Sequence, residues 1–219
     1  MLQHLEFSHP IRVLLIARMI VLTLSLGTLL GACERTPRLD PLGAEAHILA
    51  FGDSLTYGTG ADPDYSYPAQ LARLTGTRVI NAGVPGEISA AGLRRLPQLL
   101  RQHQPQLLIL CHGGNDILRR MPASETVSNL QAMIEMARME NIDVVLIGVP
   151  QFGFFLSSAD FYIQLAKRNH LPIDNNMLGK ILRQPALRAD HVHPNADGYA
   201  LLARAISDLL VTSGALAKH

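Results

Sequence analysis

The sequence predicts an α/β protein in which helices pack on a parallel β-sheet. Apolar residues make up 48% of the 219 residues and charged residues 17%, which is typical of a globular protein. Short apolar runs alternate along the chain with segments whose apolar residues recur at helical spacing. The runs are continuous and carry few polar residues, which indicates strands buried on both faces of a parallel sheet.

Five apolar runs are the predicted strands. They are His47–Phe51, Thr77–Ile80, Gln106–Cys111, Ile142–Val149 and Leu171–Ile173. Gly52 closes the first run and Pro150 closes the fourth, and both residue types commonly end strands. In parallel sheets, sites form beyond the carboxyl ends of the strands, so we expect the chemically active residues directly after these runs.

Apolar stripes at helical spacing predict three helices, and a further helix is predicted near residues 158–170. The stripes are Leu93-Leu96-Leu100, Val127-Leu130-Ile134-Ala137 and Tyr199-Leu202-Ala203-Ile206-Leu209. Pro97 is expected to kink or restart the first of these helices, because proline lacks the backbone N–H that a helix interior needs. Ser124 is the predicted N-cap of the second, with Glu125 in its first turn.

Residues 1–32 are predicted to be an export signal. Arg12 and Arg18 supply positive charge, and Met19–Leu30 is an unbroken run of apolar and small residues. This run is shorter than the roughly 20 residues that span a bilayer, and it fits the apolar region of a signal peptide. The alternative is a membrane-spanning anchor that extends back through Ile11–Ala17, in which Arg18 would be costly.

The run is followed by Leu30-Gly31-Ala32-Cys33, which resembles the lipobox of bacterial lipoproteins. The resemblance implies that Cys33 is lipidated and becomes the mature N-terminus. Glu34 replaces the aspartate that is associated with inner-membrane retention, which favours an envelope protein of the outer membrane or facing the periplasm. Residues 33–46 contain two prolines and no periodicity, and they are predicted to form a tether.

Charge and cysteine content exclude several classes of partner and bond. The net charge is +1 with both signs scattered along the chain, so we expect no nucleic-acid partner. The chain has two cysteines, and lipidation of Cys33 leaves no intramolecular disulfide. Cys111 ends an apolar run and is predicted to be a small buried hydrophobe.

Gly52-Asp53-Ser54-Leu55 directly follows the first predicted strand. The glycine allows a sharp turn, and the serine hydroxyl then lies near the N–H groups of the next helical turn, which favour negative charge. Ser54 is therefore a candidate nucleophile. The alternative is an ordinary Asp or Ser helix cap.

Glycine-rich turns follow the second and third predicted strands. The first is Gly83-Val84-Pro85-Gly86 and the second is Gly113-Gly114-Asn115-Asp116. The Gly86 N–H and the Asn115 side-chain amide are candidate donors to an oxyanion. Each segment read alone is also compatible with a simple turn.

Asp190-His191-Val192-His193-Pro194 immediately precedes the last predicted helix. A carboxylate three residues before a histidine can bind its Nδ1 and leave Nε2 free as a general base. One alternative is a helix-entry turn capped by Asp190. Another is a metal site on His191 and His193, but no third ligand is evident nearby at a spacing suited to zinc.

Together these motifs resemble the sequence blocks of the SGNH or GDSL hydrolases. The blocks are Ser54 in GDSL, Gly86 in NAGVPG, Asn115 in GGND, and Asp190 with His193 in DHVHP. The resemblance covers residues 47–213, leaves a tail at 214–219, and is strongest to the bacterial thioesterase, lysophospholipase and arylesterase branch. It implies a flavodoxin-like three-layer α/β/α sandwich around a five-stranded parallel sheet.

The resemblance also implies a role for each motif residue. Ser54 would be the nucleophile, His193 the base that takes its proton, and Asp190 the group that orients His193. The backbone N–H groups of Ser54 and Gly86 and the side-chain amide of Asn115 would hold the oxyanion. No metal or cofactor is expected for such acyl-enzyme chemistry.

Residues beside the motifs are predicted to be structural. Asp53 is expected to cap a turn, and Asp116 to brace its own loop. His112 and His191 are interpreted as structural, and the Cys111-His112 pair has no role in the motif. Cys111 would need a base beside it to act as a nucleophile.

Phe152, Phe154 and Phe155 follow the fourth predicted strand and are candidate walls of an acyl or aryl pocket, with core packing as the alternative. The predicted activity is hydrolysis of carboxylic esters or thioesters, including aryl esters, acyl thioesters and lysophospholipids. An O-deacetylase of envelope carbohydrate and a non-catalytic lipoprotein are the alternatives. The expected partners are a small ester, thioester or lipid and, through Cys33, a membrane, while the oligomeric state stays open.

Overall fold

The computed structural model of the chain describes residues 37–151 and 158–217. The predicted signal peptide, the lipidation residue Cys33 and the candidate pocket residues Phe152, Phe154 and Phe155 lie outside the described residues. No helix within the described ranges is long and apolar enough to cross a membrane.

Five parallel strands form a sheet in the order β2-β1-β3-β4-β5. The strands are β1 (His47–Gly52), β2 (Arg78–Gly83), β3 (Leu107–Cys111), β4 (Asp143–Ile147) and β5 (Ile173–Asp174). Each overlaps a predicted strand. Strand β3 is buried throughout and β1 is buried beyond His47, which explains why their sequences are continuously apolar.

Strand pairing explains where the observed strands differ from the predicted ones. Strand β2 continues to Gly83, because its last three residues still pair with the end of β1. Strand β4 ends at Ile147, two residues before the predicted end, and the Gly148 N–H donates instead to the Asp174 carbonyl at 2.7 Å. Strand β5 is a two-residue edge strand that begins at Ile173.

Helices cover both faces of the sheet. They are α1 (Ser54–Tyr57), α2 (Tyr67–Thr75), α3 (Ser89–His103), α4 (Gly114–Leu118), α5 (Ala123–Met139), α6 (Asp160–Asn169), α7 (Met177–Leu182) and α8 (Ala196–Ser213), with short 3₁₀ turns at Pro63–Tyr65 and Pro185–Leu187. The chain moves from β1 to β2 and then reverses across the sheet to β3, β4 and β5. Right-handed crossovers therefore place α2 on one face and α3, α5 and α6 on the other. Helix α2 packs against α8, and α3 against α5, as this three-layer arrangement requires.

The predicted N-cap of α5 is wrong, and two other predicted details of the helices are refined. Helix α3 runs uninterrupted through Pro97, so it does not restart there, and its buried Leu96 and Leu100 keep one packed stripe. The N-cap of α5 is Pro122, which makes Ser124 the second helical residue. In the last turns of α8, Leu210 is buried and Leu209 is only half-buried, because the apolar stripe follows the 3.6-residue period.

The second half of the predicted tether lies against the domain. The Leu39 N–H donates to the Ser213 carbonyl and the Leu42 N–H to the Ala215 carbonyl, both at 2.9 Å. The side chain of Leu39 belongs to the buried core, as does that of Ala215 in the predicted tail. The chain is therefore hydrogen-bonded to the domain from Leu39 onward, within the segment predicted to be a tether.

Candidate active site

The loops that carry three of the candidate residues leave the same edge of the sheet. Ser54 follows β1, Gly86 follows β2 and Asn115 follows β3. The end of β1 is central, because Gly52 pairs with both Gly83 of β2 and Cys111 of β3. Parallel strands end at a common edge, so these three loops begin side by side.

Close backbone packing explains the glycines at the ends of β1 and β2. A Cβ atom on Gly52 would lie 2.0 Å from the Cys111 carbonyl oxygen and 2.3 Å from the Thr56 hydroxyl. A Cβ atom on Gly83 would lie 2.0 Å from the Tyr57 backbone nitrogen. The absence of side chains here lets α1, which begins at Ser54, pack directly over the ends of the strands.

Asp53 caps this helix, as the sequence predicts. Its Oδ1 accepts a hydrogen bond from the Leu55 N–H at 3.1 Å. The carboxyl group is buried, and among the described residues its Oδ2 has no hydrogen-bond partner. Burial raises the pKa of Asp53, against the lowering influence of His112, the Leu55 and Gly114 N–H groups and His193.

Ser54 and His193 meet although they are 139 positions apart in the sequence. The Ser54 Oγ lies 3.0 Å from the His193 Nε2. On the other side of the ring, the His193 Nδ1 lies 2.7 Å from the Asp190 Oδ2. The carboxylate can accept only from a protonated Nδ1, so a neutral His193 carries its proton there and presents an unprotonated Nε2 to the serine.

A tight turn holds Asp190 in this position. Its Oδ1 accepts from the backbone N–H groups of Val192 at 2.7 Å and His193 at 2.8 Å. Desolvation tends to raise the pKa of Asp190, but the hydrogen bonds from His193 and these two N–H groups outweigh it and lower the pKa below its ordinary value. The side chain is 52% exposed, so the pair with His193 is reached by solvent.

The loop that carries His193 is held by contacts with the loop that follows α1. Asn195 caps α8 by accepting from the Gly198 N–H at 3.0 Å, and the Tyr199 hydroxyl donates to the Thr59 carbonyl at 2.8 Å. Gly60 has a φ of +98°, and a Cβ atom there would lie 2.5 Å from the Pro194 carbonyl oxygen. The loop after α1 and the loop before α8 therefore fit together only with glycine at position 60.

Two hydrogen bonds join the loops that carry Gly86 and Asn115. The Asn115 Nδ2 donates to the Glu87 carbonyl at 3.0 Å, and the Arg119 guanidinium donates to the Gly86 carbonyl at 3.0 Å. Gly86 has a φ of +77°, which glycine adopts readily. Within the described residues, no acceptor is found for the Gly86 N–H. Asn115 has two amide protons, and its bond to the Glu87 carbonyl uses one of them.

Glu87 and Arg95, which the sequence analysis did not single out, form an ion pair beside this junction. The Arg95 Nε and a terminal nitrogen donate to the two carboxylate oxygens of Glu87 at 3.0 and 2.7 Å. The His112 Nε2 lies 3.2 Å from the Glu87 Oε2. Desolvation tends to raise the pKa of Glu87, but the bonds from His112 and Arg95 lower it to about 2. No local motif marks this pair, because it forms only when α3 packs over the sheet.

Asp116 braces more than its own loop. The buried carboxylate accepts from the Ser89 N–H at 2.8 Å, from the Ser89 hydroxyl, and from the Thr126 hydroxyl at 3.4 Å. It therefore ties α4 to the first residue of α3 and to the first turn of α5. The structural role predicted for Asp116 extends to three helices.

The other residues beside the motifs have different environments. Cys111 is fully buried, and this burial raises the pKa of its thiol well above the ordinary value, which disfavours a nucleophilic thiolate. His112 is also fully buried, whereas His191 is exposed. The described residues contain no group of three or more His, Cys, Asp or Glu side chains that could hold a metal ion.

Residues 50–201 match the model of the GDSL-like lipase/acylhydrolase family. The chain is 31% identical over 179 residues to esterase TesA of Pseudomonas aeruginosa, covering 76% of this chain and 88% of that protein. It is 31% identical over 179 residues to an arylesterase of Vibrio mimicus, covering 77% and 90%. It is 30% identical over 164 residues to thioesterase 1/protease 1/lysophospholipase L1 of Escherichia coli, covering 71% and 79%.

Solved structures show the same fold. The esterase EstA from Pseudoalteromonas sp., in a structure inhibited by monoethylphosphonate, superposes with a TM-score of 0.66 at 26% identity, covering 75% of this chain and 96% of that one. The SGNH-hydrolase family esterase AlinE4 superposes with a TM-score of 0.60 at 35% identity, covering 78% and 98%. With this family match, these relatives and this fold, the chain belongs to the GDSL-like lipase/acylhydrolase family and is an ester-hydrolysing serine hydrolase.

Proposed function

We propose that Ser54 is the nucleophile of this enzyme and His193 its general base. The observation that carries the proposal is the 3.0 Å contact between the Ser54 Oγ and the His193 Nε2. A serine hydroxyl is a weak nucleophile on its own, and a neutral imidazole at this distance can take its proton as it attacks. Burial of Cys111 and its raised pKa support Ser54 over the cysteine in this role.

Asp190 orients and stabilises His193 in this scheme. The serine oxygen attacks the acyl carbonyl, and its proton moves to the His193 Nε2. The resulting imidazolium is stabilised by the Asp190 carboxylate, 2.7 Å from its Nδ1. His193 then gives the proton to the departing alcohol or thiol. Water, deprotonated by His193, attacks the acyl group on Ser54, and collapse of the second intermediate releases the carboxylic acid and returns the proton to Ser54.

The negative charge of both tetrahedral intermediates is held by three donors in this scheme. They are the backbone N–H groups of Ser54 and Gly86 and the second amide proton of Asn115. Ser54 is the first residue of α1, where N–H groups are not used by the helix, and Gly86 lies in a loop tied to α4. Donors already positioned before the reaction need no reorganisation when the charge develops.

The substrates we propose are carboxylic esters and thioesters with an apolar acyl or aryl group. The names of the relatives include esterase, arylesterase, thioesterase and lysophospholipase. Two exposed apolar side chains support this choice: Val84 is two residues from Gly86, and Leu118 is three residues from Asn115. Exposed apolar side chains this close in sequence to the proposed oxyanion donors suit an acyl chain better than a sugar hydroxyl.

Phe152, Phe154 and Phe155 are proposed to line the acyl pocket. Their support is sequence position, because they lie between the end of β4 and the start of α6, and β4 ends at the same sheet edge as β1. Comparing ester chain lengths in a Phe154→Ala variant tests the proposal. A shift in preferred chain length is expected, and an unchanged preference contradicts a pocket role.

We also propose that the protein is exported and anchored through lipid on Cys33. The support is the signal-like segment 1–32 and the lipobox resemblance of residues 30–33. Radiolabelled palmitate in bacteria that express the chain should label the protein, and a Cys33→Ser variant should lose the label. Equal labelling of both forms would refute Cys33 as the anchor.

The activity is tested by hydrolysis of p-nitrophenyl esters from acetate to palmitate by the enzyme and its Ser54→Ala variant. We expect turnover that is lost in the variant and is highest above acetate. A preference for acetate with rapid release of acetate from acetylated polysaccharide would favour the carbohydrate deacetylase instead. A folded protein with no turnover on any of these substrates would contradict the proposed function.

A further inference from the structure

We infer that His112 is a positioning residue that holds the Gly86 and Asn115 loops in register, so that their donors meet the same oxyanion. The inference rests on the proposed function of these donors. His112 follows β3 directly and its side chain is fully buried, so it does not offer a surface to substrate. Its two ring nitrogens bind the two loops.

One ring nitrogen holds the turn that leads to Asn115. The His112 Nδ1 lies 2.9 Å from the Gly113 backbone nitrogen, whose N–H donates to it. Gly113 has a φ of +101° and is the N-cap of α4, in which Asn115 is the second residue. The hydrogen bond therefore supports the left-handed turn that sets the direction of α4.

The other ring nitrogen holds the loop that follows Gly86. Because the Nδ1 accepts from Gly113, a neutral His112 carries its proton on Nε2 and donates it to the Glu87 Oε2, 3.2 Å away. The backbone carbonyl of the same Glu87 accepts from the Asn115 amide at 3.0 Å. One residue thus connects the His112 ring with the amide that we propose as an oxyanion donor.

Arg95 holds the carboxylate of Glu87 in place. In addition to its two bonds to the Glu87 carboxylate, the guanidinium donates to the Ala82 carbonyl of β2 at 3.0 Å. It also lies 4.4 Å from the centre of the Phe51 ring in β1, a cation–π distance. The ion pair is therefore fixed to the two strands that precede Ser54 and Gly86.

Close neighbours restrict the movement of the His112 ring. A Cβ atom on Gly92 of α3 would lie 2.4 Å from the His112 Nε2 and 3.3 Å from the Glu87 Oε2. The Phe51 ring packs at 5.6 Å between centroids, and the Tyr162 hydroxyl donates to the His112 carbonyl at 2.7 Å. A fully buried side chain that is bonded at both ring nitrogens can transmit position without itself reacting.

Two substitutions test the two hydrogen bonds of His112 separately. In His112→Gln, the side-chain amide reaches about as far as the imidazole Nε2 and can still donate to Glu87. In His112→Asn, the shorter side chain can accept from Gly113 but does not reach Glu87. We expect His112→Asn to lower kcat at least about tenfold with KM changed less than about twofold, because positioning of oxyanion donors acts on the transition state. His112→Gln should retain more activity than His112→Asn.

A double-mutant cycle with Asn115→Ala tests whether His112 acts through the amide. If it does, His112→Asn should lower kcat by about tenfold in the parent enzyme and by less than about threefold once the amide is gone. Equal losses in both backgrounds would show a general structural role and overturn the inference, and so would a loss confined to KM. Where His112→Asn does not fold, Glu87→Gln enters the same cycle, since it keeps the size of the side chain.

His103→Gln is the control, because His103 lies in the last turn of α3, away from the proposed site. It should leave kcat and KM unchanged in both backgrounds. The cycle also distinguishes failure of the proposed oxyanion donor from failure of the positioning role. Full activity in Asn115→Ala alone would refute the proposed oxyanion donor, whereas a normal loss in Asn115→Ala with an additive loss in His112→Asn would refute only the positioning role.

Discussion

The side-chain amide of Asn115 donates to the backbone carbonyl of Glu87 at 3.0 Å, which ties the loop after β3 to the loop after β2. This bond uses one of the two amide protons, and the other is the one that we propose as an oxyanion donor. Removing the amide should therefore affect the reaction more than it affects substrate binding.

Asn115→Ala should lower kcat by about a hundredfold to a thousandfold, which corresponds to the 2.7–4 kcal/mol typical of one oxyanion donor. The change in KM should be small, because the donor acts on charge that develops in the transition state. Steady-state kinetics on a p-nitrophenyl ester measure both constants. Turnover equal to that of the parent enzyme would remove Asn115 from the proposed site.

Asp190→Asn should lower kcat by about 10²- to 10⁴-fold, because the amide can stabilise the wrong tautomer of His193 and does not balance the imidazolium charge. The neighbouring exposed His191 offers a matched control, and His191→Gln should retain parental kinetics. Comparing the two variants over neutral pH distinguishes a specific effect on His193 from disturbance of the loop. Similar losses in both would contradict the role of Asp190.

Glu87→Gln should destabilise the protein at neutral pH, and the difference from the parent should shrink in acid. The pKa of Glu87 is lowered from 4.5 to about 2 in the folded state, so its ionised form stabilises the fold above pH 4.5. This contribution is lost as the pH falls from 4.5 toward 2. Urea unfolding at several pH values measures it, and a difference that stays constant down to pH 2 would contradict the ion-pair account.

Gly92→Ala should destabilise the protein by about 1–3 kcal/mol, the usual cost of overpacking. Elsewhere in a helix the same change commonly stabilises by roughly 0.5–1 kcal/mol. The reason is the 2.4 Å approach of the new Cβ atom to the His112 Nε2. Denaturant unfolding together with kcat tests this, since a displaced His112 should also lower turnover. A variant as stable and active as the parent would show that His112 can move freely.

The motif residues could be predicted from the sequence because their neighbours in the sequence are distinctive. Ser54, Gly86 and Asn115 each follow an apolar run and stand beside glycines, and His193 precedes a clear helical stripe. The topology of a parallel sheet then brings the ends of β1, β2 and β3 together, so their proximity could be expected before any coordinates.

The residues around His112 could not be predicted from the sequence in this way. Glu87 and Arg95 look like ordinary surface charges in sequence, and their contact depends on how α3 crosses Phe51. In the sequence, Gly92 is only a residue that lowers helix stability. Its close approach to His112 is visible only in the structure. Helices α2, α4 and α7, of nine, five and six residues, were also missed, because such short segments carry too little pattern to recognise by periodicity.

The most direct test of the central claim is covalent labelling of Ser54 by a fluorophosphonate. The serine oxygen would form a bond to phosphorus as fluoride leaves, and the product resembles the tetrahedral intermediate. Peptide mass spectrometry should place the label on Ser54, with loss of esterase activity in proportion to labelling and no label in Ser54→Ala. Labelling at another residue, or full activity in the Ser54→Ala variant, would contradict the assignment of Ser54 as the nucleophile.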